Sequence, residues 1–176
     1  MQAGPGGGFA IRFAGGAHGG LASAYVLLSP IILKAPTIKP GNAAWAQVNR
    51  LRIIGLIGLN ILGIHGFDGL PIIHYNKPET YWDGTETLAY TWRLNVSMHP
   101  RLPNYKPDLS SIRMPVLVMC GDKDESNTAS AYKPLFEETC PQAEVITLPG
   151  ITHFGVFTDK AALDRIVDWI GKLNLQ

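Results

Sequence analysis

The chain has 176 residues, 46% hydrophobic and 16% charged, which suits one domain of ordinary size with a buried core and excludes a chain disordered by composition. A formal net charge of +1, with the basic residues scattered, gives no electrostatic case for nucleic acid or a strongly acidic partner. Two cysteines, Cys120 and Cys140, cannot build a disulfide framework and stand in no metal-ligand spacing, which fits a reducing compartment.

The N-terminus lacks a basic region followed by an apolar stretch, so no signal peptide is expected and the expected location is cytoplasmic. The opening is instead a glycine-rich turn leading into a helical stretch over residues 9–14, stopped by Gly15-Gly16. A chain that starts in a tight turn suggests that something precedes it. Ala24-Tyr-Val-Leu-Leu28 is a short apolar run ending at Ser29-Pro30, as a fully buried parallel strand would. Residues 31–107 lack strand alternation and are rich in Pro and Gly; within them, 43–64 and 86–98 read as helices, and the whole as an inserted cap. The apolar stretch between Leu51 and Ile64 is interrupted by Arg52, Gly55, Gly58, Asn60 and Gly63. It falls short of the roughly 18–20 residues that cross a bilayer, leaving a buried or lid helix first and a membrane-surface helix second.

Strand character returns over residues 115–120, with Pro115 at the first position, where its missing N–H matters least. Residues 128–139 can form a helix in which Pro134 marks a kink or a late start. A third strand is expected at 144–148, and a closing helix at 161–173 with Leu163, Ile166, Val167 and Ile170 on one face. Strand, cap, strand, helix, strand, helix argues for a parallel sheet with helices on its faces.

Two loops follow strand ends, where open α/β sheets place their ligands: Cys120-Gly-Asp-Lys-Asp-Glu125 and Leu148-Pro-Gly-Ile-Thr-His-Phe-Gly155. A carboxylate past one strand and a histidine past the next can meet. The carboxylate then fixes the imidazole tautomer and stabilises the imidazolium, while the other ring nitrogen takes a proton from a nucleophile. Asp122 and Asp124 are the candidates for the acid, and an acidic turn of Asp122, Asp124 and Glu125 capping the next helix explains them about as well. The histidines His18, His65, His74 and His99 are too scattered for a metal site, and no cofactor motif occurs.

Gly121-x-x-Asp124 after an apolar strand, followed by Leu148-Pro-Gly-x-x-His153, resembles the acid and histidine loops of α/β-hydrolases. The likeness is strongest to the serine aminopeptidase, monoacylglycerol lipase and lysophospholipase-like branch. Asp108-Leu-x-x-Ile112-x-x-Pro115-Val-Leu-Val is similar to that branch's approach to its acid-bearing strand. Gly6-Gly-Gly-Phe-Ala-Ile-Arg-Phe-Ala-Gly15 resembles the helix behind its nucleophile elbow. The resemblance implies a partial α/β-hydrolase fold: three C-terminal strands of a mostly parallel sheet, flanked by helices, from residues 1–30 and 108–176, with a helical cap over 31–107. It implies Asp124 as the triad acid, His153 as the general base, and a small-molecule ester, lipid or peptide as substrate.

The departure lies at the elbow. The family pattern G-x-S-x-G is matched here by Gln2-Ala-Gly-Pro-Gly6, which puts Gly4 at the nucleophile position and Pro5 at the residue whose N–H donates to the oxyanion. Gly4 has no side chain and Pro5 no N–H; losing one such donor alone typically costs 10²–10³ in rate. Ser23, Ser29 and Cys120 are poor replacements, since none sits in a glycine-flanked elbow. Three readings follow: a serine-hydrolase domain in fragmentary form, inactive alone; a non-catalytic ligand- or partner-binding protein of the same fold; and a membrane-surface protein anchored between Leu51 and Ile64. With the family's earlier strands missing, the strand at 24–28 should be an apolar edge open to pairing with another copy.

Overall fold

The computed structural model describes residues 2–3, 5–40, 46–82, 84–100 and 104–173. In chain order the elements are β1 (Gln2–Ala3), α1 (Pro5–Ala14), β2 (Tyr25–Leu28), β3 (Ala46–Val48), α2 (Arg50–Ile61), β4 (Pro71–Tyr75), β5 (Ala89–Thr91) and α3 (Trp92–Met98). They continue with α4 (Lys106–Ser110), β6 (Val116–Gly121), α5 (Tyr132–Thr139), β7 (Ala143–Leu148), α6 (Gly155–Thr158) and α7 (Lys160–Lys172). Two compact units result: Met1–Lys39 with Met98–Gln176, and Pro40–Ser97.

The first unit is built on a parallel sheet in the order β1-β2-β6-β7. Strands β2 and β6 are buried throughout, which is why they read as continuous apolar runs rather than alternating ones. Alternate residues nonetheless serve opposite faces. Tyr25, Leu27, Val116, Val118 and Cys120 pack with Ile11, Leu109, Tyr132 and Phe136 from α1, α4 and α5. Val26, Leu28, Leu117 and Met119 pack with Val156, Ala162, Ile166 and Trp169 from α6 and α7. Helices therefore cover both sides of a twisted sheet, the α/β layering expected from the element order.

Three details differ from the sequence-based expectation. A fourth strand exists: β1 pairs in parallel with the end of β2, Gln2 with Leu27 and Ala3 with Leu28, so the edge anticipated there is covered at those two residues. Two residues are too few to show a period. The helix after it begins at Pro5, a position where proline's missing N–H would be unpaired in any case. The third difference is the phase of α7. Ala162, Ile166 and Trp169 are 0%, 7% and 7% exposed, whereas Leu163, Val167 and Ile170 are 38%, 68% and 44% exposed. Apolar residues lie on two faces of this helix, and the face with the large Trp169 and the small Ala162 is the one that fits the sheet. Helix α5 starts late, at Tyr132, so that Pro134 falls in its first turn.

The second unit holds α2 and a three-stranded antiparallel sheet in the order β3-β4-β5, so the segment expected to be helical is so only in part. These strands are three to five residues long, and β4 opens with Pro71; neither feature leaves a readable alternation. Asn49 starts α2 as an N-cap, its Oδ1 accepting from Arg52 N–H at 3.0 Å. Leu51, Ile54, Ile61 and Leu62 stand exposed along and just beyond α2. Among the described residues, no helix is long and apolar enough to cross a membrane.

Candidate active site

Strands β6 and β7 pair residue for residue from Val116–Ala143 to Gly121–Leu148, so both end at the same level of the sheet. The loops that leave them are then sewn together. Asp122 N–H donates to Leu148 O and Lys123 N–H to Ile151 O, both at 3.0 Å, and Gly150 N–H donates to Asp122 Oδ1 at 2.6 Å. This contact is why position 121 is glycine: a Cβ there would collide with the Ile151 carbonyl group. Asp122 is thus used up in joining the two loops, and it is Asp124 that reaches the histidine.

Asp124 and His153 meet at 2.9 Å, Oδ2 to Nδ1, with both side chains almost fully buried. Asp124 Oδ1 accepts the backbone N–H groups of Ser126 at 2.8 Å and Asn127 at 2.7 Å, and Lys39 Nζ donates to the Asp124 carbonyl at 2.5 Å. Burial by itself pushes the Asp124 carboxyl up. The hydrogen bond and charge of His153, with the Asn127 N–H, outweigh it and hold the group below its ordinary value. The carboxyl is therefore biased toward its charged form and aimed at the imidazole. His153 is held in turn by Glu125, whose Oε2 accepts its backbone N–H at 3.0 Å, and by perpendicular ring contacts with Phe154 and Phe157. With Nδ1 committed to Asp124, the tautomer that carries its proton on Nδ1 is favoured. Nε2 is then the nitrogen with the lone pair a base requires.

The other expected positions fall as follows. Strand β1 ends at Ala3 and α1 begins at Pro5, a strand and helix separated by one residue; that residue, Gly4, lies outside those described. The start of α1 is pressed against the corner after β2, because a Cβ on Gly7 would come within 2.6 Å of the Pro30 Cβ. Ser29, in that corner, is buried and adopts a left-handed φ of +42°. Cys120 points into the core, and burial pushes its thiol up to about 11, so it is no thiolate nucleophile. Ser23 is exposed just before β2. Among the described residues, no three His, Cys, Asp or Glu side chains gather as a metal site would need.

A parallel sheet covered by helices on both faces, with a carboxylate and an imidazole paired at the ends of its last two strands, defines the carboxyl-terminal part of an α/β-hydrolase fold. Solved structures agree. The chain is similar to a monoacylglycerol lipase from Paleococcus ferrophilus (17% identity, TM-score 0.56), matching 93% of this chain and 64% of that one. It is similar also to an esterase from Rhodococcus sp. (17%, 0.54; 98% and 64%) and to the esterase domain of a Rhodothermus marinus protein (11%, 0.57; 95% and 57%). At these identities the likeness establishes the fold alone, and the chain spans less than two thirds of the length of these proteins. No family model and no curated protein matches the sequence.

Proposed function

We propose that this chain carries the acid–base half of a serine-hydrolase site, with Asp124 as acid and His153 as base, and that by itself it does not turn over. The parent reaction is hydrolysis of an ester or amide through an acyl-enzyme. A hydroxyl attacks the carbonyl carbon as His153 Nε2 takes its proton, and the imidazolium so formed is stabilised by Asp124. The same proton passes to the leaving alkoxide or amine. Water then attacks the acyl group by the reverse sequence of transfers, releasing the acid and restoring the hydroxyl.

The observation that carries this reading is the 2.9 Å contact between His153 and a fully buried Asp124 at the carboxyl end of the sheet. Gly4, the residue between strand and helix, brings no hydroxyl, and Pro5 brings no N–H for the oxyanion. The finer assignment, to a lipase, lysophospholipase or aminopeptidase type acting on a small ester, lipid or peptide, is supported by the Asp108-to-Val118 and Leu148-to-His153 motifs. The same facts favour a second reading, a ligand-binding protein that keeps the fold and has replaced the elbow.

The test is incubation of the purified chain with p-nitrophenyl esters and a fluorophosphonate probe. Neither labelling nor His153-dependent turnover is expected. Labelling that disappears in His153→Ala would mean a nucleophile is present, and the inactive reading would be wrong.

A further inference from the structure

One side chain touches both members of the pair. Asn127 is buried, and its backbone N–H donates to Asp124 Oδ1 at 2.7 Å. Its Nδ2 lies 3.3 Å from Asp124 Oδ2, 3.3 Å from His153 Nδ1 and 3.5 Å from the Ser29 carbonyl oxygen. Two of those three neighbours are acceptors only, so the amide nitrogen, not its oxygen, faces the cluster. The backbone here is fixed as well: Asn127 forms a bridge with Ile38, and Thr128 N–H donates to Thr37 O at 2.7 Å.

We propose that Asn127 is a positioning residue that holds Asp124 by both carboxylate oxygens and shares Oδ2 with the imidazole, thereby keeping His153 in the neutral form that a base requires. The inference rests on the acid–base assignment made above. Its physical content is competition. The amide N–H occupies a lone pair on the oxygen that would otherwise serve the imidazole alone. Its positive end also stands as close to Nδ1 as to the carboxylate. Both effects disfavour the imidazolium. The backbone N–H of Asn127, by contrast, would survive any side-chain change, so orientation through Oδ1 and charge-sharing through Oδ2 are separable. The other charged groups at the pair are Glu125, bonded to the His153 N–H, and Lys39, bonded to the Asp124 carbonyl; both stay constant in the comparison.

The experiment is a pH titration of the His153 ring by NMR in the full chain, in four forms: parent, Asn127→Leu, Asn127→Ala and Asp124→Asn. Leucine matches asparagine in size and lacks the amide; alanine serves if leucine does not fold. The expected result is an upward move of the His153 titration midpoint by about half a pH unit, roughly threefold in proton affinity. The low-field Nδ1 proton should be retained and shifted further downfield. An unchanged midpoint in whichever Asn127 variant folds, with the low-field proton still present, overturns the role given to Asn127. A parent without that proton, and a midpoint indifferent to Asp124→Asn, would instead show that the acid–base pair does not form in solution.

Discussion

Replacing Gly121 by alanine puts a methyl group where the carbonyl of Ile151 already is. The sheet cannot yield, because Gly121 is the last residue of a fully buried strand paired along its length with β7. The histidine loop must therefore move. Overpacking of this kind costs about 1–3 kcal/mol. Displacing the loop also removes the bonds from Lys123 N–H to Ile151 O and from Gly150 N–H to Asp122 Oδ1, at about 1 kcal/mol each. Against this, alanine restricts the unfolded chain and returns about 0.4–1 kcal/mol. The net expectation is a loss of about 2–4 kcal/mol, measured by urea unfolding followed through tryptophan fluorescence, with Trp169 buried in the core as a reporter. Gly171→Ala in α7 is the control: nothing lies near its new methyl, and a helix interior favours alanine by up to about 1 kcal/mol. If Gly121→Ala unfolds at the same urea concentration as the parent, the close crossing of the two loops is wrong, and the geometry of the pair with it.

The phase of α7 is checked by comparing Ile166→Ala, expected to lose about 2–4 kcal/mol, with Val167→Ala, expected to stay within about 0.5 kcal/mol, in the same urea assay. His99 gives a prediction in pH. Burial lowers it from 6.5 to about 4, so the unfolded chain binds the proton first, and stability is full above 6.5 and falls as pH drops towards 4. At about 1.4 kcal/mol per unit the loss is of order 3 kcal/mol, and it should be absent from His99→Gln. Equal pH dependence of parent and variant between pH 7 and 4.5 would refute it.

Strands β2 and β6 were legible because burial on both faces writes itself as a run of apolar residues, and β7, only partly buried, because Val145, Ile146 and Leu148 end at the turn Pro149-Gly150. Asp124 and His153 were legible as a pair because strand pairing converts a position past one strand end and a position past the next into neighbours. The choice between Asp122 and Asp124 came from the family resemblance and not from strand pairing, since its physical ground is a bond from Gly150 N–H to Asp122 that only the crossing of two loops creates. Asn127 was invisible for the same reason: its partners are Ser29, Asp124 and His153, contributed by three separate strand ends. The strand at Gln2–Ala3 was too short to carry a pattern. The helix 161–173 was readable as a helix but not in its orientation, because two apolar stripes compete and only the packing partner decides between them.

The residue-for-residue pairing of β6 with β7 acts as a ruler. The spacing between acid and imidazole is set by one ladder of hydrogen bonds, and that ladder is built without any residue before Pro115. The register that brings Asp124 and His153 to one level is therefore independent of the residues at the start of the chain.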